Sequence, residues 1–451
     1  MKLSAEKQNS LINIYLSIPG DLKLPSGASE IDDFLAIASD NKAAANLYLQ
    51  IKKANLSLPD TIMKPLAETY QKILAKNTRR LQVGLPILLQ MKNAGIDVII
   101  LKGNAIAEEI FGDIGYKPMN DIDILVKPTD LDAIHAMFMK NNLLTAAPLE
   151  ENIRKQEKYS HHWPPFFDKK LDLFLGTHWN VAAPSRGLSI PIEDFWRDKE
   201  EFKLMGETFY RLSPMHFVLH LCIHLNSAKT GLREIGDIVK LIEARQSDLS
   251  ASDFVDRVKN AKAEYEVYEA LALTLALKKS AFTDAVVLAL SEIIQDEKFK
   301  AKVLKRMTPR HKLLHIRTNY ISKIEKTFAL FMLTEAPLEK TLLLARMWKL
   351  YLFVPGTTAL KLNYEFSDDA GLAKRFMASL FAPIKISQVF INDLGPLIFI
   401  IVTLRHQWVL LDSYFNFLFK KFTGKPIKSL DSIARGMGLS FSEIKEISAL
   451  D

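Results

Sequence analysis

Apolar and polar residues alternate with the spacing of amphipathic helices in the first part of the chain. Residues 28–95 carry apolar side chains at i, i+3, i+4 and i+7, which predicts helices that end at Gly95. The β-branched run 97–103, DVIILKG, is instead typical of a short buried strand. A helix is expected next, from Asn104 to Phe111. The sequence thus predicts a helical N-terminal part followed by an α/β segment.

Two more strand patterns follow the Gly-, Pro- and Asn-containing loop GDIGYKPMN. Residues 121–128, DIDILVKP, predict a second strand, and 170–181 predict a third. From about residue 213 onward nearly every pattern is helical. We therefore expect an α+β fold class, a small mixed-sheet module within a mostly α-helical protein. The predicted divisions are a helical N-terminal region at 1–84, an α/β domain at 85–210 and a helical C-terminal region at 211–451.

Composition places the chain among ordinary globular proteins. Of 451 residues, 48% are hydrophobic and 25% are charged, and the net charge of +7 is modest for this length. Cys222 is the only cysteine, so neither an intramolecular disulfide nor a cysteine-based zinc site is expected. The N-terminus lacks the unbroken apolar core of a signal peptide. A cytoplasmic location is the expectation.

One segment near the C-terminus, 394–422, is apolar enough to raise the question of a membrane. Its uninterrupted apolar part, Pro396 to Leu404, is about half the ~20 residues that a span needs. Arg405 and Asp412 interrupt the rest. Buried or interfacial helices are favoured, and peripheral membrane contact stays open because aromatic residues and a basic end follow.

Two aspartates interrupt the apolar pattern of the second predicted strand. Strand alternation places Asp121 and Asp123 on the same face, with their Cα atoms ~7 Å apart. Two such carboxylates repel each other unless a cation neutralises them. Mg²⁺ suits them, since it binds one or two carboxylates together with substrate phosphates. The pair therefore predicts a metal site, in which one ion would activate a hydroxyl and another would hold a triphosphate.

The residues around these aspartates resemble a known superfamily. The turn LKG at 101–103 and the segment KPMNDIDILV at 117–126 are similar to the DNA polymerase beta-type nucleotidyltransferase superfamily. Within it, they are most similar to a family of uncharacterised nucleotidyltransferases. The resemblance continues more loosely to about residue 365. It implies a polymerase beta-like fold and transfer of a nucleoside monophosphate from an NTP to a hydroxyl acceptor, whose identity the resemblance leaves open.

The resemblance also implies roles for particular residues. Asp121 and Asp123 would bind Mg²⁺ or Mn²⁺. Three residues of the first turn would seat the NTP phosphates: Lys102, Gly103 and Asn104. Asn104 stands where the superfamily usually has serine. Lys117, a further candidate phosphate contact, replaces the arginine of the closer family, and a point charge thereby replaces a bidentate fork.

A third metal-binding carboxylate is part of the superfamily pattern. The closer family often has an acidic residue two positions before the histidine of an HW pair, but here that position is Gly176. Asp172 is the candidate in its place. It lies four residues earlier on the predicted strand, about 13 Å away along a straight strand. Either the strand register turns Asp172 toward the pair, or the site lacks one ligand.

Histidines form further candidate groups. His216, His220 and His224 line one face of a predicted helix, where a buried polar seam is favoured over a zinc site because the HExxH signature is absent. The resembling proteins also have histidines here, which leaves open that one of the three lines the substrate pocket. His178 is a pocket candidate, and Trp179 is expected in the core. The HHW triplet at 161–163 is either part of an acceptor pocket or ordinary aromatic packing. For Asp237 a helix-surface position is favoured over a place in the same polar seam.

The densest basic stretch, 298–317, carries few aromatic residues for base stacking, so nucleic acid is not favoured as a partner. A solvated helix face is the simpler interpretation. Two alternatives to an enzyme remain. One is a catalytically degenerate module that still binds a nucleotide, and the other is an interaction protein of the membrane surface. The sequence does not define the oligomeric state.

Overall fold

A computed structural model gives the architecture of the chain. The residues that it describes are 3–145, 160–168, 170–182, 187–227, 231–307, 310–315, 341, 342 and 345. Nearly all of them belong to one compact unit, Met1–His315. The predicted apolar segment 394–422 lies outside the described residues. No helix within the described part is both long and apolar enough to cross a membrane.

Four helices precede the sheet in the described residues, and the last three lie within 28–95, where the apolar periodicity predicts helices. Their bounds are α1 Ala5–Tyr15, α2 Ala28–Asp40, α3 Ala44–Lys53 and α4 Asp60–Asn93. The long helix α4 packs closely on the sheet at Gly84. A Cβ at this position would overlap the Ile122 side chain and lie 3.2 Å from Leu173 Cδ1. Glycine therefore allows the helix backbone to approach two neighbouring strands.

In the part of the chain that the structure describes, seven strands form one mixed sheet. They are β1 Ile99–Ile100, β2 Ile122–Leu125, β3 Leu144–Thr145, β4 Phe166–Asp168, β5 Leu173–His178, β6 Glu200–Leu204 and β7 Glu207–Arg211. Their order is β3-β4-β5-β2-β1-β7-β6. Strand β2 is antiparallel to β1 and parallel to β5. The sheet confirms the predicted α+β class, a mixed sheet within a mostly helical chain.

The segment between β1 and β2 holds a short helix, α5 Lys102–Ile106, which continues as a π-helix, Ala107–Phe111. Gly112 ends it with a left-handed φ of 70°. Because β1 and β2 are antiparallel, the end of β1 lies beside the start of β2, and the Leu101 N–H donates to the Asp123 carbonyl at 2.9 Å. This pairing brings the turn after β1 next to the aspartates.

The chain after β2 is again mainly helical. The remaining α-helices of the described residues are α6 Leu131–Lys140, α7 Ile192–Arg197, α8 Pro214–Ser227, α9 Leu232–Ala244, α10 Ala251–Asn260, α11 Glu264–Leu277, α12 Ala281–Ile293 and α13 Glu297–Met307. Helix α9 shows why they form a bundle: it buries Leu232, Ile235, Ile238 and Val239, whose spacing makes one apolar stripe. It packs against α8 and against the π-helix. This packing joins the helices that follow the sheet to the segment between β1 and β2.

Two local predictions need correction. The third predicted strand starts at Leu173 rather than at residue 170, and Asp172 precedes it with a left-handed φ of 53°. Strand alternation therefore does not orient Asp172. Asp237 is buried, with 4% of its surface exposed, so the expected helix-surface position is wrong. The division at residues 84 and 210 stays a prediction.

Candidate active site

Asp123, in the centre of β2, is the best-connected acidic residue near the predicted turn. Its side chain is buried, yet both carboxylate oxygens have partners. Lys102 Nζ lies 2.8 Å from Oδ2, and His178 Nε2 lies 3.0 Å from Oδ1. Three elements of the fold meet here: the turn after β1, strand β2 and the end of β5.

The charge state of this group follows from its neighbours. Burial alone would raise the pKa of Asp123, but Lys102 and the hydrogen bond from His178 outweigh it and hold the pKa well below its usual range. Burial lowers the pKa of His178 to about 4, against the opposing effect of Asp123. At neutral pH the site thus contains an ionised carboxylate, an ammonium and a neutral imidazole, which donates its N–H to the carboxylate.

The turn that carries Lys102 has an unusual backbone. Lys102 has a φ of 53°, in the left-handed region that non-glycine residues rarely occupy. Such conformations cost of order 1–3 kcal/mol and cluster at functional sites. The following residue, Gly103, is tightly enclosed, because a Cβ there would lie 2.8 Å from Lys117 Cε and 3.3 Å from Met119 Sδ. Glycine leaves room for the Lys117 side chain to pass beneath the turn.

Asn104 ties the same turn to the start of β2. Its Nδ2 donates to the backbone carbonyl of Asp121 at 2.8 Å, and its side chain is almost fully buried. Asp121 is half-buried and directly precedes β2. The structure therefore brings Lys102, Asn104 and both predicted aspartates together, with Asn104 holding the backbone of Asp121.

Lys117, the other predicted phosphate contact, forms a buried ion pair with Asp237 of α9. Burial lowers the pKa of Lys117 and raises that of Asp237, while their mutual attraction opposes both changes. Asn77 of α4 also donates to the Lys117 carbonyl at 2.8 Å. Helices α4 and α9 thus fix the loop before β2 from two sides, and the Lys117 ammonium lies below Gly103.

Asp172 has a different set of partners. Its Oδ2 accepts a hydrogen bond from Arg80 Nη2 at 2.8 Å, and Lys76 Nζ lies 3.6 Å away. Arg80 is buried and also donates to the Asp172 and Met119 carbonyls. The Asp172 side chain is 43% exposed. In the β2–β5 register Asp123 lies opposite Gly176 rather than Asp172.

Histidines surround the Asp123–His178 pair. The ring centroids of His161 and His162 lie 5.6 Å and 5.1 Å from that of His178. The HHW triplet pairs with β5, since the Trp163 N–H donates to the Thr177 carbonyl at 2.9 Å. Trp163 and Trp179 are both buried, as expected for Trp179. Trp163 packs in the core, as the aromatic-packing alternative predicts, and the rings of the two histidines lie beside that of His178.

The three helical histidines separate into two environments. His216 contacts Ser213 Oγ at 3.1 Å and Arg257 Nη1 at 2.8 Å. For His220 and His224, the charges of Lys102 and Asp123 instead influence the pKa of the ring. In the part of the chain that the structure describes, no group of three or more His, Cys, Asp or Glu residues has the geometry to hold a metal ion. His216, buried among these polar partners, has the surroundings that the predicted polar seam describes.

The carboxylates of Asp121 and Asp123 are a donor set that suits magnesium. Mg²⁺ takes few protein ligands and completes its shell with waters and substrate phosphates, so two carboxylates suffice. In the structure the Lys102 ammonium lies 2.8 Å from Asp123 Oδ2, where it neutralises the carboxylate as a bound cation would. Asp121 and Asp123 are thus the residues that could hold such an ion.

A strand–turn–helix unit followed by an aspartate-bearing strand defines a nucleotidyltransferase type of module. Comparison with known proteins agrees: the sequence model of a family described as "Uncharacterised nucleotidyltransferase" matches residues 27–277. The chain belongs to this family. The match includes α2 to α11 and every residue of the site described above. Neither the curated proteins nor the solved structures contain a significant match.

Proposed function

We propose that the protein is a metal-dependent nucleotidyltransferase, which moves a nucleoside monophosphate from an NTP to an acceptor hydroxyl. The observation that carries the proposal is the contact between Lys102 and Asp123, a cationic side chain from the glycine-containing turn on an ionised, buried carboxylate. Such a carboxylate requires a cation beside it. Membership of a nucleotidyltransferase family supports the same reaction class.

In this proposal Asp121 and Asp123 bind Mg²⁺ or Mn²⁺. The ion, when bound, would neutralise phosphate charge and lower the pKa of the attacking hydroxyl. Lys102 then exchanges its partner, leaving Asp123 for the triphosphate. Its side chain is 25% exposed and flexible enough for this exchange. Gly103 and Asn104 seat the phosphates, and Asn104 also keeps the Asp121 backbone in place.

The proposed reaction is a substitution at the α-phosphorus of the NTP. A bond forms between the acceptor oxygen and the α-phosphorus, the bond to the β-phosphate oxygen breaks, and pyrophosphate leaves. The acceptor hydroxyl loses its proton to the surrounding water. Such reactions depend mainly on positioning and charge neutralisation. We assign Lys117 a positioning role, because its ammonium pairs with Asp237 beneath Gly103.

A nucleotide-binding protein without transfer activity is the second candidate. Gly176 favours it, because the residue opposite Asp123 on β5 supplies no carboxylate. The predicted third ligand, Asp172, pairs with Arg80, so our proposal uses Asp121 and Asp123 alone. A superfamily enzyme that lacks the third ligand could retain the nucleotide and lose turnover.

Label transfer separates the two candidates. The full chain is incubated with α-³²P-labelled ATP, GTP, CTP or UTP, Mg²⁺ or Mn²⁺, and fractionated small molecules and macromolecules as acceptors. Transfer of the label with release of pyrophosphate, lost in Asp123→Asn, supports the enzyme. Metal-dependent NTP binding without transfer to any fraction supports the second candidate. If the wild-type chain binds no NTP, both are wrong.

A further inference from the structure

One face of helix α4 follows the loop that leads into β2. Tyr70, Asn77 and Gly84 lie seven residues apart, about two helical turns, and so share one face of the helix. The Tyr70 hydroxyl donates to Asp113 Oδ2 at 2.8 Å, where the loop begins. Where the loop ends, Gly84 lets α4 approach Ile122 of β2. The helix therefore runs alongside the whole segment between the π-helix and β2.

Asn77, in the middle of this face, binds the loop with its entire side-chain amide. Its Nδ2 donates to the Ile114 carbonyl at 2.6 Å and to the Lys117 carbonyl at 2.8 Å. Its Oδ1 accepts a hydrogen bond from the Met119 N–H at 3.2 Å. Only 2% of Asn77 is exposed, so these bonds lie inside the protein. An amide can make all three because it carries two N–H donors and a carbonyl acceptor.

Arg80, about one turn further along α4, binds the carbonyl of Met119. Its Nη1 donates to that oxygen. The guanidinium is itself held by Asp172, because Nε donates to the Asp172 carbonyl at 2.9 Å and Nη2 to its carboxylate at 2.8 Å. Both backbone polar groups of Met119 thus have side chains of α4 as partners. Met119 is therefore the anchor of the loop on α4, two residues before Asp121.

We propose that Asn77 and Arg80 are positioning residues of the metal site, which set the place of the Asp121 carboxylate through Met119. This inference rests on the proposed function. The sheet fixes Asp123, which lies within β2, whereas Asp121 precedes the strand. The Asp121 Cα can lie no more than about 7 Å from that of Met119, so a shift of the anchor moves the carboxylate. Two carboxylates bind one ion only when their geometry fits it, so the anchor determines metal affinity.

Mn²⁺ binding to the full chain without nucleotide tests the assignment. Electron paramagnetic resonance titration compares the wild type with Asn77→Ala and Arg80→Lys. Asn77→Ala removes the hydrogen bonds that its amide makes to the loop. Arg80→Lys retains the charge beside Asp172 but loses the planar fork that also reaches Met119. We expect each variant to bind Mn²⁺ about tenfold more weakly, at the lower end of the roughly 10–100-fold loss that changes behind a metal ligand cause.

A double-mutant cycle separates the positioning of Asp121 from general damage to the fold. In the Asp121→Asn background, Asn77→Ala or Arg80→Lys should change Mn²⁺ affinity by less than about twofold, because the ligand that the anchor positions is already gone. Asn46→Ala is the matched control, since Asn46 is a buried asparagine of α3 that donates to the Tyr15 carbonyl at 3.2 Å. It should lower the thermal unfolding temperature, as Asn77→Ala does, and leave Mn²⁺ binding unchanged.

The outcomes distinguish this inference from the proposed function. Wild-type Mn²⁺ affinity in Asn77→Ala and Arg80→Lys overturns the inference, and so does an equal loss in the wild-type and Asp121→Asn backgrounds. If Asn77→Ala does not fold, Arg80→Lys decides between these results alone. Mn²⁺ binding that is absent from the wild type, or unaffected by Asp121→Asn, refutes the proposed metal site itself.

Discussion

Gly176 lies directly opposite Asp123 in the parallel pairing of β5 with β2. A Cβ at Gly176 would overlap Asp123 Oδ1 and lie 3.4 Å from His178 Nε2. The absence of a side chain at this position is therefore what allows His178 to reach the carboxylate. In this chain the position opposite Asp123 leaves room for a histidine and supplies no carboxylate of its own.

Gly176→Ala should disturb this arrangement without changing any charge. The new methyl group must displace the Asp123 carboxylate, because its nearest neighbour is this short buried side chain rather than the end of a flexible one. We expect a loss of about 1–3 kcal/mol in unfolding free energy, as for other overpacked sites. Metal-dependent NTP binding should weaken by more than tenfold, about 1.4 kcal/mol. Gly27→Ala is the control, because a Cβ at Gly27 would meet no atom within 4 Å. Gly187 also has open space around it, but its positive φ would strain an alanine.

Lys102→Met should separate metal binding from nucleotide binding. In the proposed site, and without NTP, a metal ion would compete for Asp123 Oδ2 with Lys102, which pairs with that oxygen in the structure. Removal of the ammonium should therefore tighten Mn²⁺ binding to the free protein by about tenfold, while NTP binding weakens by a similar factor. Electron paramagnetic resonance titration of Mn²⁺ measures the first change, and calorimetry the second.

The control for this variant is Lys72→Met, on the exposed surface of α4. Mn²⁺ binding that is unchanged or weaker in Lys102→Met would show that the ammonium does not compete with the ion. That result would contradict the proposed exchange of partners.

Lys117→Met should destabilise the fold rather than abolish a phosphate contact. It leaves Asp237 buried without its main counter-charge, which costs about 3–5 kcal/mol in comparable cases. Arg233 also lies near Asp237, so the lower end of this range is expected. Because a buried pair is replaced well by apolar residues, Lys117→Met/Asp237→Leu should recover most of the loss. Thermal and denaturant unfolding measure both variants, and a double variant as unstable as the single one contradicts this role.

Asp172→Asn tests the predicted third metal ligand directly. The amide retains an oxygen acceptor for Arg80 and removes the charge at a side chain that is 43% exposed, so stability should fall by less than about 1 kcal/mol. If Asp172 supports Arg80 alone, metal-dependent NTP binding should change by less than about twofold. A loss as large as that of Asp123→Asn would identify Asp172 as a metal ligand and restore the three-carboxylate site.

The sequence predicts the central part of the fold because its signals are local. The β-branched run before Gly103 and the alternating run at Asp121 predict β1 and β2, and strand alternation predicts an acidic face. The resemblance adds that the turn and the aspartates belong together. All of these features lie within about 30 residues of each other, where periodicity and turn chemistry are informative.

Partners that are distant along the chain are not predictable in this way. His178 reaches Asp123 across 55 residues, and Asp237 reaches Lys117 across 120. Those contacts depend on strand register and helix packing, which no local pattern specifies. The misplaced start of β5 has a local cause: Asp168 accepts hydrogen bonds from the Lys170 and Leu171 N–H groups, so a turn occupies what alternation alone predicts as strand.

The most direct test of the proposed site is metal-dependent NTP binding by the wild type, Asp121→Asn and Asp123→Asn. Asp132→Asn, exposed on α6, serves as the control of equal charge change. Calorimetric titration should show NTP binding by wild type and control that requires Mg²⁺ or Mn²⁺, weakened more than tenfold, about 1.4 kcal/mol, in either site variant. Wild-type binding that is absent, independent of the metal, or unaffected by both site variants would contradict a nucleotide site at Asp121 and Asp123.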